Sequence, residues 1–128
     1  MPVIAELITQ PSEQDLTDLN KTYEGNIEWL QAVLEGPDLM VGGRFNDRLV
    51  AAFVLRDEES CWRLEKLQVR EITRRRGVAR QTLHSAQKTL KLERPILVDL
   101  SAHLELLKLF ESQGFVATDS KAVLQWQG

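Results

Sequence analysis

The sequence predicts an α/β (α+β) fold, a mixed sheet with helices on both sides. Three observations predict it. Runs that alternate apolar and polar residues with period two are interleaved with runs of helical period, in the order β-α-α-β-β-β-α-β-α-β-β. The pair Asn46-Asp47, two residue types that tolerate left-handed turn geometry, joins two apolar strands as a hairpin. The run Thr73-Arg74-Arg75-Arg76-Gly77-Val78-Ala79-Arg80 joins a strand to a helix.

Residues 3–8 read as a first strand. Ser12 is a helix N-cap with Asp15 at the capping-box position, and Leu16, Leu19 and Tyr23 form the buried stripe of that helix. Gly25-Asn26 breaks it, Asn26 caps a second helix running to Leu34, and Gly36-Pro37-Asp38 stops that one. Residues 39–45 and 48–55 make the hairpin, and residues 56–60 are a polar turn. The next strand, residues 62–69, carries Trp62 and Leu64 and then, after a break in phase, Leu67 and Val69. The helix after the arginine turn keeps Ala79, Leu83, Ala86 and Leu90 on one face. A short strand over residues 96–100 follows. A helix over residues 102–113 then ends at Gly114, a left-handed C-cap, and a hairpin turns about Asp119-Ser120-Lys121.

The 128 residues are read as one domain spanning residues 1–128. The single cysteine, Cys61, excludes an internal disulfide and a cysteine-based metal site; no metal is expected. No apolar run approaches the roughly 20 residues that span a bilayer, and the first residues lack signal-peptide features. A cytoplasmic protein with no membrane partner is the expectation.

Charge is concentrated in one place. Lys and Arg number 16 against 19 Asp and Glu, a net charge of −3. Residues 70–80 hold five arginines and one acid, a local charge of +4, which leaves −7 on the rest. A nucleic-acid binder spreads positive charge along a face, so no nucleic acid is expected here. A strand–Gly–helix turn exposes backbone N–H groups at the positive end of a helix dipole. Arginines beside those amides add charge-assisted bonds to phosphate oxygens, and the turn reads as a pyrophosphate cradle.

Arg74-x-x-Gly77-x-Ala79, together with the element order and the ending Leu109-Phe110-Glu111-Ser112-Gln113-Gly114-Phe115, resembles the GNAT superfamily of acyl-CoA-binding folds. The resemblance implies a mostly antiparallel central sheet with a CoA-binding splay between the fourth and fifth strands. Leu67, Gln68 and Val69 would present backbone groups to the pantetheine arm. Thr73, Arg74, Arg75, Arg76, Gly77, Val78, Ala79 and Arg80 would hold the pyrophosphate, and Gly77 would allow close backbone approach. The tyrosine that many such acetyltransferases use as general acid is replaced by Phe110, which has no proton to give. Glu65 is either a base for an amine substrate or one half of an ion pair. His84 and His103 read as surface histidines, and no catalytic residue is assigned.

A narrower resemblance covers Arg44-Phe45-Asn46-Asp47-Arg48-Leu49-Val50-Ala51-Ala52 and Leu67-Gln68-Val69-Arg70-Glu71-Ile72-Thr73-Arg74-Arg75-Arg76-Gly77-Val78. These segments are similar to the PanM/PanZ family, small CoA-binding proteins that bind the aspartate 1-decarboxylase PanD. The family is a PanD regulatory factor of pantothenate and CoA biosynthesis. It implies that CoA or acetyl-CoA is bound as a ligand, that PanD zymogen cleavage to the pyruvoyl form is promoted, and that mature PanD is inhibited. Arg44, Asn46 and Arg70 are the implied PanD contacts, with ordinary turn chemistry the other reading of Asn46. Mutual repulsion among Arg70, Arg74, Arg75 and Arg76 without ligand is one basis for CoA dependence. The alternative function is an N-acetyltransferase acting on a small amine or a protein N-terminus.

Overall fold

The computed structural model describes residues 2–70 and 77–127. Among these, the strands are β1 (Ile4–Leu7), β2 (Leu39–Phe45), β3 (Arg48–Asp57), β4 (Trp62–Val69), β5 (Ile96–Asp99), β6 (Val116–Ala117) and β7 (Val123–Trp126). The helices are α1 (Glu13–Thr22), α2 (Leu30–Glu35), α3 (Val78–Thr89) and α4 (Leu107–Ser112), the last preceded by a 3-10 turn over Leu104–Leu106. The seven strands form one sheet in the order β1-β2-β3-β4-β5-β7-β6. Every neighbouring pair is antiparallel except β4 and β5, which run parallel. The mixed, mostly antiparallel sheet is the predicted architecture.

Local chemistry accounts for the elements. Ser12 accepts a bond from the Asp15 amide at 3.0 Å while the Asp15 carboxylate accepts from the Ser12 amide at 3.3 Å, a closed capping box. Asn46 and Asp47 stand at φ +49° and +66°, the two left-handed residues that a tight two-residue hairpin requires. Residues Leu49 to Leu55 are all buried, which places β3 at the centre of the sheet, covered on both faces.

Alternation along the strands divides the core in two. Leu19 and Tyr23 of α1 and Leu30 and Val33 of α2 pack on Met40, Leu49, Ala52 and Val54. Leu83 and Ala86 of α3 and Phe110 of α4 lie on the opposite face with Val41, Phe53, Leu55 and Leu64. Helix α3 also ties down β1, an edge strand: Ser85 Oγ accepts from the Ala5 amide at 2.8 Å, and Gln81 Oε1 from the Val3 amide at 3.1 Å. That close approach needs Gly43 in β2, because a Cβ there would collide with the Thr82 side chain.

Three local expectations are corrected. Leu16 is not in the buried stripe of α1; it is 40% exposed, and Asp18 is fully buried instead. The second helix starts at Leu30 rather than beside Asn26, because the Asn26 carbonyl accepts the Trp29 indole N–H at 2.7 Å and holds the intervening residues in a turn. The helix expected over residues 102–113 starts late and in two pieces. The Asp99 carboxylate takes the Ser101 amide and the Leu100 carbonyl takes the His103 amide, so residues 101–103 are used in turning. Gly114 follows at φ +88°, the left-handed residue expected there.

Candidate functional site: a cleft where two parallel strands part

Strands β4 and β5 are paired only at Trp62–Ile96, Arg63–Leu97 and Leu64–Val98. Past Leu64 they diverge, and a cleft of about 800 Å³ opens between them. Leu64, Leu67 and Val69 line one side, Val98 and Leu100 the other, with Leu106 and Phe110 also in the lining. Among the described residues, Glu65 to Gln68 of β4 pair with no residue of β5. An unpaired strand edge is a row of backbone donors and acceptors that an extended ligand can pair with.

A β-bulge shapes that edge. Glu65 faces Val54 and Gln68 faces Ala52, so Lys66 and Leu67 together oppose Phe53. Lys66 adopts φ +57°, and among the described non-glycine residues of positive φ it is the one inside a strand. The bulge is the physical origin of the phase break read in the sequence: it returns Val69 to the buried face that Leu64 occupies. From the α1 side, the buried Tyr23 hydroxyl donates to the Lys66 carbonyl at 2.8 Å, and burial raises that hydroxyl's pKa well above its usual value. Trp29 stands edge-to-face on Tyr23 with ring centroids 4.8 Å apart, and the Lys66 ammonium lies 4.9 Å from the Trp29 ring.

Beside this cleft, Gly77 is the N-cap residue of α3 at φ +69°, and having no side chain it makes no side-chain cap itself. Among the described residues a Cβ at Gly77 would meet Arg80 Nη2, at an ordinary 3.7 Å, and the left-handed φ is by itself a reason for glycine here. Ala79 lines the cleft, Val78 is fully buried in the core, and Arg80 is exposed. Leu67, Gln68 and Val69 all line the cleft. Thr73, Arg74, Arg75 and Arg76 lie outside the described residues.

The residues expected to meet a partner form a separate group on the hairpin side. Arg44 donates from Nε and Nη2 to Glu6, from Nη1 and Nη2 to Asp15 and from Nη1 to the Asp47 carbonyl. Its hydrogen bonds to Glu6 first, then to Asp15, raise the guanidinium pKa above its ordinary value. Asn46 is at the exposed tip of the same hairpin. Arg70 lies with Nη1 3.9 Å from the buried Asp18 carboxylate, and the other three arginines of the expected cluster lie outside the described residues.

Asp18 is a buried structural anchor beside this group that local sequence pattern does not reveal. It accepts from Arg48 Nη2 at 2.6 Å, from the Leu49 amide at 3.1 Å and from Gln14 at 3.1 Å. Burial alone would raise its pKa, but the Arg48, Leu49 and Gln14 bonds together hold it below the ordinary 3.8. Periodicity shows Tyr23 only as a residue of the apolar stripe. Its hydroxyl's partner lies 43 positions away, a distance no local pattern can bridge.

The candidate chemical groups take structural positions. Glu65 pairs with Arg56 at 3.2 Å, the ion-pair alternative. His84 is exposed, and His103 lies 3.4 Å from Glu105 with both side chains largely exposed. Burial, followed by the nearby Glu58 carboxylate, pushes the Cys61 thiol pKa up and so away from the reactive thiolate. Phe110 is fully buried and packs edge-to-face on Phe115, 5.0 Å between centroids. Among the described residues no group of three or more His, Cys, Asp or Glu could hold a metal ion, and no helix is long and apolar enough to cross a membrane.

Several solved structures share this architecture. YhhK from E. coli, bound to coenzyme A, is 24% identical over 100% of both chains with a TM-score of 0.69. A GNAT-family acetyltransferase from Elizabethkingia anophelis with acetyl-CoA bound is 14% identical over 99% of both chains, TM-score 0.71. An acetyltransferase from Bacillus subtilis in complex with CoA is 14% identical over 96% of this chain and 95% of its own, TM-score 0.65. At these identities the likeness establishes the fold. No curated protein matches the sequence significantly. The family model described as the acetyltransferase (GNAT) domain of PanZ matches residues 2–119, and the chain belongs to that family.

Proposed function

We propose that this chain binds CoA or acetyl-CoA in the β4–β5 cleft and, so loaded, binds and regulates PanD. The observation that carries the ligand half is the parting of β4 from β5 after Leu64, which opens a cleft along the bulged edge of β4 beside the N-terminus of α3. The pantetheine arm is an extended chain of amides, and it pairs with Leu67, Gln68 and Val69 as a strand pairs with a strand. The pyrophosphate lies at the first amides of α3, where Gly77, Val78, Ala79 and Arg80 begin the helix and Thr73, Arg74, Arg75 and Arg76 precede it. The CoA and acetyl-CoA bound by the structural neighbours support the identity of the ligand.

The PanD half rests on membership of the PanZ family. In this reading Asn46 and Arg70 meet PanD directly. Arg44, with its donors engaged, holds the hairpin in the shape that presents them. Docking promotes backbone cleavage of the PanD zymogen and restrains the mature enzyme, so that CoA damps its own supply. The protein acts in the cytoplasm, as a ligand-loaded factor rather than a catalyst. Phe110 supplies no proton to a departing thiolate, and Glu65 is held by Arg56.

The test is incubation of uncleaved PanD with the protein, with and without acetyl-CoA, followed by mass. Acetyl-CoA-dependent cleavage is the expected result; equal rates in both arms would overturn the regulatory reading. The family's acetyltransferase description favours the rival, acetyl transfer to a small amine or protein N-terminus. Amine-dependent release of free CoA across an acceptor panel would establish that rival.

A further inference from the structure

We propose that Tyr23 is a positioning residue for the acyl-CoA cleft, acting through the backbone of Lys66 without touching the ligand. The inference rests on the CoA reading above. The cleft and a smaller recess of about 460 Å³ on the α1 side share Lys66 and Gln68 in their linings. Tyr23 and Trp29 line that recess, away from the cleft. A single strand therefore separates the two spaces, and the Tyr23 hydroxyl bond fastens it from behind.

The fastening matters because the bulge is strained. A lysine at φ +57° in mid-strand is disfavoured, and such conformers persist only where surrounding contacts over-determine them. Here those contacts are the Tyr23–Lys66 bond at 2.8 Å and the stack of Lys66 on Trp29 on Tyr23. Trp29 is itself fixed by its indole bond to the Asn26 carbonyl at 2.7 Å. If Lys66 relaxes to an ordinary extended residue, Gln68 and Val69 slip by one position against β3. A one-residue slip exchanges the faces of every following side chain and the direction of every following amide. The edge offered to the ligand is then the wrong one.

The discriminating probe is the nucleotide half of the ligand alone. Adenosine 3′,5′-bisphosphate carries the adenosine and phosphates of the ligand but lacks the pantetheine arm that would read the bulged edge. In Tyr23→Phe, which keeps the ring and removes one hydroxyl, the acetyl-CoA Kd is expected to rise about 3- to 10-fold, the loss of one net hydrogen bond. The Kd of adenosine 3′,5′-bisphosphate is expected to stay within about twofold, the ordinary reach of a lost contact elsewhere. Equal weakening of both ligands would make Tyr23 merely structural and overturn the proposal, as would no change in either. Absence of acetyl-CoA binding by the unsubstituted protein would instead strike the CoA reading. Should Tyr23→Phe fold poorly, Lys66→Val serves, since a β-branched residue resists positive φ while Tyr23 stays in place. The same split between the two ligands is expected of it, and parallel loss of both would again overturn the proposal.

Discussion

The two halves of β4 are built for different ends. From Trp62 to Leu64 the strand is paired on both sides, to β3 and to β5, and Trp62 is sealed by Arg94, whose guanidinium lies 4.1 Å from its ring. From Lys66 onward it is bulged on the β3 side and has parted from β5. The same eight-residue strand thus changes from a core element to a binding edge within one bulge. The closed half should carry stability, and the open half ligand selectivity.

The largest expected effect falls on the closed half. Trp62→Ala should lower unfolding free energy by about 3–5 kcal/mol in a denaturant titration, as removal of a buried aromatic does. The acetyl-CoA Kd of the folded fraction should stay within about twofold. A selective loss of ligand binding with full stability would erase the division.

Next comes the anchor of α1, the helix that delivers Tyr23 to the bulge. Asp18→Asn should cost about 2–3 kcal/mol, below the range for a fully buried pair because the Arg48 side chain is 41% exposed. Its pH dependence has a definite sign. The folded Asp18 carboxyl titrates below its ordinary 3.8, so its contribution is complete above that value and lost as pH falls through the lower folded value. Stability curves of the wild type and Asp18→Asn should therefore converge in that acid range. Curves that stay parallel would remove Asp18 from the acid transition.

A third effect acts beside the open half. Gly77→Val forces a β-branched residue to φ +69°, a strain of about 1–3 kcal/mol, and should weaken acetyl-CoA about tenfold or more through a displaced helix start. Gly77→Ala should weaken it less. Equal binding by all three proteins would take the turn out of the site. The smallest effect belongs to Glu65→Gln, which breaks a half-exposed pair with Arg56 and should cost under about 1 kcal/mol with no change in acetyl-CoA Kd.

Much of this division was legible in the sequence. The element order, the Asn46-Asp47 hairpin and the bounds of β4 follow from period-two runs and turn chemistry, which act over a few residues. Even the bulge left a trace, because two apolar phases around Lys66 cannot belong to one regular strand. The contacts that fix the bulge left none. Tyr23 reads as one more apolar stripe residue until the fold brings Lys66 to its hydroxyl, and Asp18 reads as a solvated acid until Arg48 and the Leu49 amide close around it. Leu16 shows the same limit in reverse: periodicity puts it in the core because it cannot tell which face of α1 holds a paired carboxylate. Such features depend on tertiary partners, and their signal appears only when the partners are in place.

The central claim couples ligand to partner, and calorimetric titration of PanD with and without saturating acetyl-CoA tests it most directly. A Kd tightened at least tenfold by acetyl-CoA is predicted, a coupling of about 1.4 kcal/mol or more. The same PanD affinity in both titrations, with acetyl-CoA shown to be bound, would contradict it.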